Sequence, residues 1–188
     1  MKKKHIITIA GDLGSGKSST AKGEAELLEY KHFSSGDFMR EVGLKKNVNL
    51  MERSEQAEKD KSIDEEIDEK IREVGKGDNL VIDSRLAYHW IPESFKVYLK
   101  LDPEIAKKRI FEDLNNNPLR KESEGSQSEE EIYQKIIKRR ESEKKRYKEI
   151  YNLDHTDPKN FDLVVDTSKH NLEEVIQIIK DEYINWLR

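Results

Sequence analysis

The chain has 188 residues, 34% of them hydrophobic and 39% charged, with 35 Lys and Arg against 39 Asp and Glu and no cysteine. Ile, Leu, Val and Phe supply 46 residues, roughly a quarter of the chain and above the ~20% at which a highly charged sequence reads as disordered, so one folded, helix-rich domain is expected. The composition excludes disulfides and thiolate metal sites, no apolar run approaches the ~20 residues of a membrane span, and the near-balanced charge gives no overall signal for nucleic acid.

Ile6 to Ala10 is a short β-branched run ahead of glycines and reads as a buried parallel strand. A helix is predicted from about Gly16 to Glu29, then a weak strand from Tyr30 to Phe33 ending at Ser34-Ser35-Gly36-Asp37. Phe38 and Val42 mark a second helix. Ile63, Ile67, Ile71 and Val74 mark one face of a third, stopped by Gly75 and Gly77. Leu80 to Ile82 is a third strand running into Asp83, and Phe95 to Leu101 a fourth. Asp102-Pro103-Glu104 starts a helix that Asn115 to Pro118 stops. Residues 120–130 read as a polar loop, and a charged helix covers 129–151. Phe161 to Val165 is the fifth strand, and Asn171 with Glu174 caps the last helix. Five strands alternating with helices predict a three-layer α/β fold on a five-stranded parallel sheet. Gly11, Asp37, Asp83 and Asp166 all follow predicted strands, where such sheets bind ligands.

Gly11-Asp12-Leu13-Gly14-Ser15-Gly16-Lys17-Ser18 matches the phosphate-loop pattern G-x-x-x-x-G-K-[ST], between a strand and a helix as the mechanism requires. Its backbone N–H groups and the helix N-terminus would cradle phosphates, with Gly11, Gly14, Ser15, Gly16, Lys17, Ser18 and Ser19 as binding residues. Lys17 would reach the β- and γ-phosphates, and Ser18 would ligate Mg²⁺. Asp12 is expected to point to solvent. The motif implies a nucleoside triphosphate. The absence of N-K-x-D and D-x-x-G argues against a GTPase. Ser35 or Asp37 could cap the second helix, bringing Arg40 beside its first turn as an anion site. Asp83 is placed like a Walker-B acid for Mg²⁺, and Arg85 stands two residues on.

Eight cations fall between Lys135 and Lys148. Arg139, Glu143 and Arg146 share one helix face at i, i+4 and i+7, with Tyr133, Ile136, Ile137, Tyr147 and Tyr151 assigned to packing on the opposite side. This R-x-x-x-E-x-x-R face suits a lid closing on phosphates. A solvated face with i, i+4 partners, or an RNA-contacting stripe, are the alternatives.

Five segments in order carry a resemblance: residues 11–18, S-S-G-D-F-x-R at 34–40, V-I-D-S-R-L-A at 81–87, R-R-E-S-E-K-K-R-Y at 139–147 and V-V-D-T-S at 164–168. The chain resembles nucleoside monophosphate kinases, most closely the short, archaeal-type cytidylate kinases. The resemblance implies transfer of the γ-phosphoryl of ATP to CMP or dCMP with Mg²⁺, in one cytoplasmic kinase domain with an acceptor arm about 35–77 and a mobile lid about 115–150. Ser35, Asp37, Arg40, Arg85, Arg139 and Glu143 would bind the acceptor. Lys17, Arg139 and Arg146 would be catalytic, and Arg109 a lid-base arginine. Leu86 stands where longer bacterial relatives carry an Asp, and their larger acceptor domain is absent; both differences bear on base recognition. A monomer without nucleic-acid or membrane partners is expected. The alternatives are a kinase for another small acceptor and a nucleotide-binding regulatory module contacting RNA.

Overall fold

In the computed structural model, residues 3–45, 62–116 and 127–188 are described. Five parallel strands, β1 (Ile6–Gly11), β2 (Lys31–Ser34), β3 (Leu80–Asp83), β4 (Phe95–Lys100) and β5 (Leu163–Asp166), stand in the order β2-β3-β1-β4-β5. The helices are α1 (Lys17–Leu28), α2 (Ser35–Lys45), α3 (Ser62–Val74), α4 (Ala87–Trp90), α5 (Pro103–Asn116), α6 (Glu129–Tyr151) and α7 (Leu172–Leu187), with a 3₁₀ turn at Pro158–Asn160. The predicted strands and long helices form within a residue or two of expectation. Short α4 was not foreseen, because four residues show no helical period.

Alternation along the central strand sorts the core into layers. Ile7 and Ile9 face α1 and α7, packing with Ala21, Ala25, Val175, Ile179 and Tyr183. Ile6 faces the other way, onto Ile71 of α3 and Ala87 of α4. Ala10 and Tyr98 pack on the same side against Tyr147 of α6. Leu101, Ala106 and Leu114 bind α5 to Ile132 and Ile136 of α6. Central β1 and β3 are wholly buried, whereas edge strands β2 and β5 are partly exposed. Register sets the strand ends level: Ile9 and Ser34 both pair with Asp83, and Gly11 with Leu99. Asp102 caps α5, its carboxylate accepting from the Glu104 N–H at 2.8 Å, and a capping box of Asn171 and Glu174 opens α7.

Candidate functional site

The phosphate loop leaves β1 at Gly11, where a Cβ would lie 2.4 Å from the Leu99 carbonyl oxygen, so a side chain there would push β4 away. Gly16 takes a left-handed conformation (φ 84°) at the N-cap of α1, with no side chain capping the helix and no acid in its first turn. That end therefore carries its partial positive charge uncompensated, as an anion site needs. Ser15 is buried, and its hydroxyl has no partner among the described residues. Ser19 is exposed in the first turn of α1.

Asp12 does not point to solvent. Its carboxylate accepts from the Tyr98 hydroxyl and the Leu101 N–H, both at 2.9 Å, which ties the loop to β4 and the entry of α5. The carboxylate is thus turned away from the phosphate cradle, as an anchor. Nothing in the sequence pairs Asp12 with Tyr98, which lies 86 residues away.

The Lys17 ammonium donates to the Asp12 carbonyl at 2.7 Å. Burial, reinforced by the positive field of Arg85, lowers its pKa to about 8, while Asp83 and Glu143 oppose the shift. Ser18 donates to an Asp83 carboxylate oxygen at 2.6 Å. These two hard oxygen donors fit a Mg²⁺ ion, which binds through one or two protein ligands plus substrate phosphates. Ser35 donates to the Asp83 carbonyl at 3.3 Å, joining the start of α2 to the end of β3. The helix cap is neither Ser35 nor Asp37: the Ser34 hydroxyl accepts from the Asp37 N–H at 3.2 Å. Arg40 is on α2, and its side chain is outside the described residues.

Helix α6 departs most from expectation. Its buried stripe is Ile132, Ile136, Glu143 and Tyr147, so Ile136 and Tyr147 share a face with the acid rather than opposing it. Glu143 accepts from Arg85 Nε at 2.6 Å and from Arg139 Nε at 2.9 Å, one guanidinium on each carboxylate oxygen. Burial by itself would raise this carboxyl; the two arginines outweigh it and hold the pKa at about 2. With each Nε occupied by Glu143, the arginines are held in place while terminal nitrogens remain to bind an anion.

The structure brings Lys17, Ser18, Asp83, Arg85, Arg139 and Glu143 together. Arg146 instead pairs with α3, its Nε 2.9 Å from Asp64 Oδ2. Burial raises Asp64 to about 6, with Arg146 opposing and Asp68 adding to the rise. Asp68 accepts from the Trp90 indole at 2.8 Å and from the Tyr151 hydroxyl. The sequence signal for this pair was their i, i+4 spacing beside the apolar stripe of α3. Arg109 binds the end of β5, donating to the Thr167 carbonyl at 2.7 Å. Asp166 instead ties its own turn, accepting from Ser168 at 2.6 Å and pairing with Lys169 at 3.3 Å. His155, isolated in sequence, is buried against Tyr147, and desolvation lowers its pKa to about 4. Among the described residues no group of three or more His, Cys, Asp or Glu could hold a metal, and no helix is long and apolar enough to cross a membrane.

The model of the cytidylate kinase-like family matches residues 6–169. The chain belongs to that family. It is a family of kinase-like phosphotransferases, and its P-loop implies triphosphate binding. A cytidylate kinase from Methanocaldococcus jannaschii is 36% identical over 185 residues, covering 96% of this chain and 98% of the relative. A protein named S-adenosylmethionine-dependent nucleotide dehydratase from Lacinutrix mariniflava is 37% identical over 179 residues; the match takes in 94% of this chain but only 35% of that larger protein. A shikimate kinase from Bacteroides thetaiotaomicron shares the fold with a TM-score of 0.66 at 14% identity, over 94% of this chain and 96% of that one.

Proposed function

We propose that the chain is a nucleoside monophosphate kinase that transfers the γ-phosphoryl of ATP to CMP or dCMP. The observation that carries this reading is the convergence of phosphate-loop Lys17 with Arg85 and Arg139, both fixed by Glu143. The similarity to cytidylate kinases over nearly the whole chain supports cytosine as the acceptor base.

The acceptor needs no protein base, because a monophosphate with a second pKa near ~6 is already ionised at neutral pH. Its oxygen attacks the γ-phosphorus, the bond to the bridging oxygen breaks, and ADP leaves with the electron pair. The chain's contribution is positioning and charge neutralisation. The loop amides and Lys17 hold the triphosphate. Ser18 and Asp83 would hold Mg²⁺, which would supply charge neutralisation at the phosphate oxygens. Arg85 and Arg139, with Arg40 from α2, fix the acceptor phosphate, and Ser35 and Asp37 line the path to it. Closure of a lid over about 115–150, of which 117–126 lies outside the described residues, would keep water from the transferring group.

ADP release measured across CMP, dCMP, UMP, AMP, GMP and dTMP tests the reading. CMP and dCMP should stimulate release most. Preference for another acceptor would move the assignment to a different small-molecule kinase. A flat response across the panel would overturn it and leave a nucleotide-binding module.

A further inference from the structure

Asp12 carries both the anchor of the phosphate loop and the rest for Lys17. Gly11, Gly14 and Gly16 all take positive φ, so the backbone of the loop has other turns open to it and needs something to hold it in one. Asp12 is held at three atoms by β4 and its exit. Its N–H donates to the Leu99 carbonyl at 3.0 Å, and its two carboxylate oxygens accept from the Tyr98 hydroxyl and the Leu101 N–H. Its own carbonyl then accepts from the Lys17 ammonium at 2.7 Å and from the Ser15 N–H at 3.3 Å. An ammonium has three N–H donors, so this bond leaves two for phosphate oxygens and need not break when a triphosphate binds.

A carboxylate this close to a phosphate cradle repels the ligand unless its charge is met, and Tyr98 and Leu101 are neutral donors. The cation facing it is Arg140 of α6, with Nη2 4.0 Å from the same Oδ1 that Tyr98 holds. That distance is too long for a hydrogen bond. A cavity of about 20 Å³ opens beside the two groups, lined also by Tyr98 and Leu101. The Arg140 side chain keeps 44% exposure, so it has freedom to move. An advance of about 1 Å would bring it to the ~2.9 Å of a charge-assisted bond. Its neighbour in sequence, Arg139, is already bonded to Glu143.

We propose that Asp12 is a positioning residue for phosphoryl transfer that acts through Lys17, and that Arg140 couples it to α6. This rests on the kinase reading above. Fixing Asp12 fixes the direction of its carbonyl, and that direction sets where the Lys17 ammonium meets the developing charge. When α6 draws in, Arg140 closes on Oδ1 of Asp12 and holds loop and helix in one arrangement. The role is distinct from phosphate binding, since neither Asp12 nor Arg140 needs to touch a nucleotide.

The test is single-turnover transfer from ATP to CMP, or to whichever acceptor of the panel is preferred, with a thermal melt for each variant. Asp12→Ala removes the anchor and should lower the transfer rate at least ~10-fold, while the Kd for the acceptor changes by less than about twofold. In a Lys17→Ala background the same change should cost less than about twofold, because the group it positions is gone. Asp12→Asn keeps the anchor, since its amide oxygen can accept from Leu101 and its NH₂ can donate to the Tyr98 oxygen, but it loses the charge that draws Arg140. Asp12→Asn and Arg140→Ala should therefore each slow transfer several-fold, and together no more than either alone. If Asp12→Ala does not fold, Tyr98→Phe, which removes one anchor bond, takes its place with the same dependence on Lys17 expected. A loss of equal size with and without Lys17 would show general damage to the loop and overturn the inference alone. Additive losses for Asp12→Asn and Arg140→Ala, or none, would overturn the coupling to α6. No acceptor-dependent transfer in the wild type would overturn the kinase reading, and this inference with it.

Discussion

The phosphate loop and the inner face of α6 both serve anions, but they are built from different materials. The loop uses backbone: glycines that permit left-handed turns, inward N–H groups and an uncapped helix end. The α6 face uses side chains, two guanidiniums held apart by one buried carboxylate. A backbone site needs little beyond the correct glycines and a strand and helix to hang between. A side-chain site needs its charges desolvated, paired and aimed, so it should fail differently when its parts are removed.

The largest effect is expected on the side-chain site. Glu143→Ala leaves the partly exposed Arg85 and Arg139 beside each other without a counter-charge, which costs up to about 3–5 kcal/mol, the figure for a fully buried pair. Denaturant unfolding at neutral pH measures it, and a loss under ~1 kcal/mol would mean that the arginines simply swing out to water. The same carboxyl predicts an acid limb. Its folded pKa of about 2 is below its unfolded value of ~4.3, so its stabilisation is complete above the unfolded value and is lost as pH falls from ~4 through ~2.

Next comes the backbone site, whose one essential side chain is outside the core. Lys17→Ala should lower turnover by at least ~10²-fold while the circular dichroism spectrum stays native. Near-normal turnover in the folded variant would remove the loop from the mechanism.

Arg85→Ala should weaken acceptor binding by about tenfold or more, a loss of ~1.5–3 kcal/mol, with ATP affinity nearly intact. Loss of ATP affinity with CMP affinity retained would exchange the roles of the two regions.

The smallest effect lies outside both sites and isolates the importance of pairing. Glu24 on α1 is fully buried with no well-aligned hydrogen bond to either carboxylate oxygen among the described residues, and burial raises its pKa to about 8, opposed by the Lys180 charge and a weak approach of the Lys180 backbone N–H. An acid raised in the folded state loses stability as pH climbs from its unfolded value toward its folded one, here from ~4.5 to about 8. Glu24→Gln should flatten that slope and raise stability at pH 8 by on the order of 1 kcal/mol, since the amide still lacks a partner. Melting temperatures at pH 6 and pH 8 decide it; an unchanged slope would mean that Glu24 is not the titrating group.

The same contrast explains what could be read from the sequence. Local chemistry was legible: a β-branched run, glycines at fixed spacing, and caps such as Asp102-Pro103 and Asn171 with Glu174. These depend on residues a few positions apart. Contacts across the fold were not. Asp12 gives no sign that Tyr98 will take its carboxylate, and Ser34 could be distinguished from Ser35 as a cap only once β2 had fixed the entry to α2. The spacing of Arg139 and Glu143 was visible, but their phosphate-facing side of α6 was read as opposite the side on which Ile136 and Tyr147 pack. The structure buries Glu143 beside Tyr147, because Arg85 arrives from β3 to neutralise it, and periodicity carries no information about a partner 58 residues away.

The central claim is that the loop and the α6 face act on the same phosphoryl group. A double-mutant cycle on single-turnover transfer from ATP to CMP, with Lys17→Ala, Arg139→Ala and the double variant, tests it most directly. Groups acting as a unit are strongly non-additive, so the double variant should lose far less than the product of the two single losses. Losses that add to within ~0.5 kcal/mol would mean that the two regions work independently, and would contradict the account.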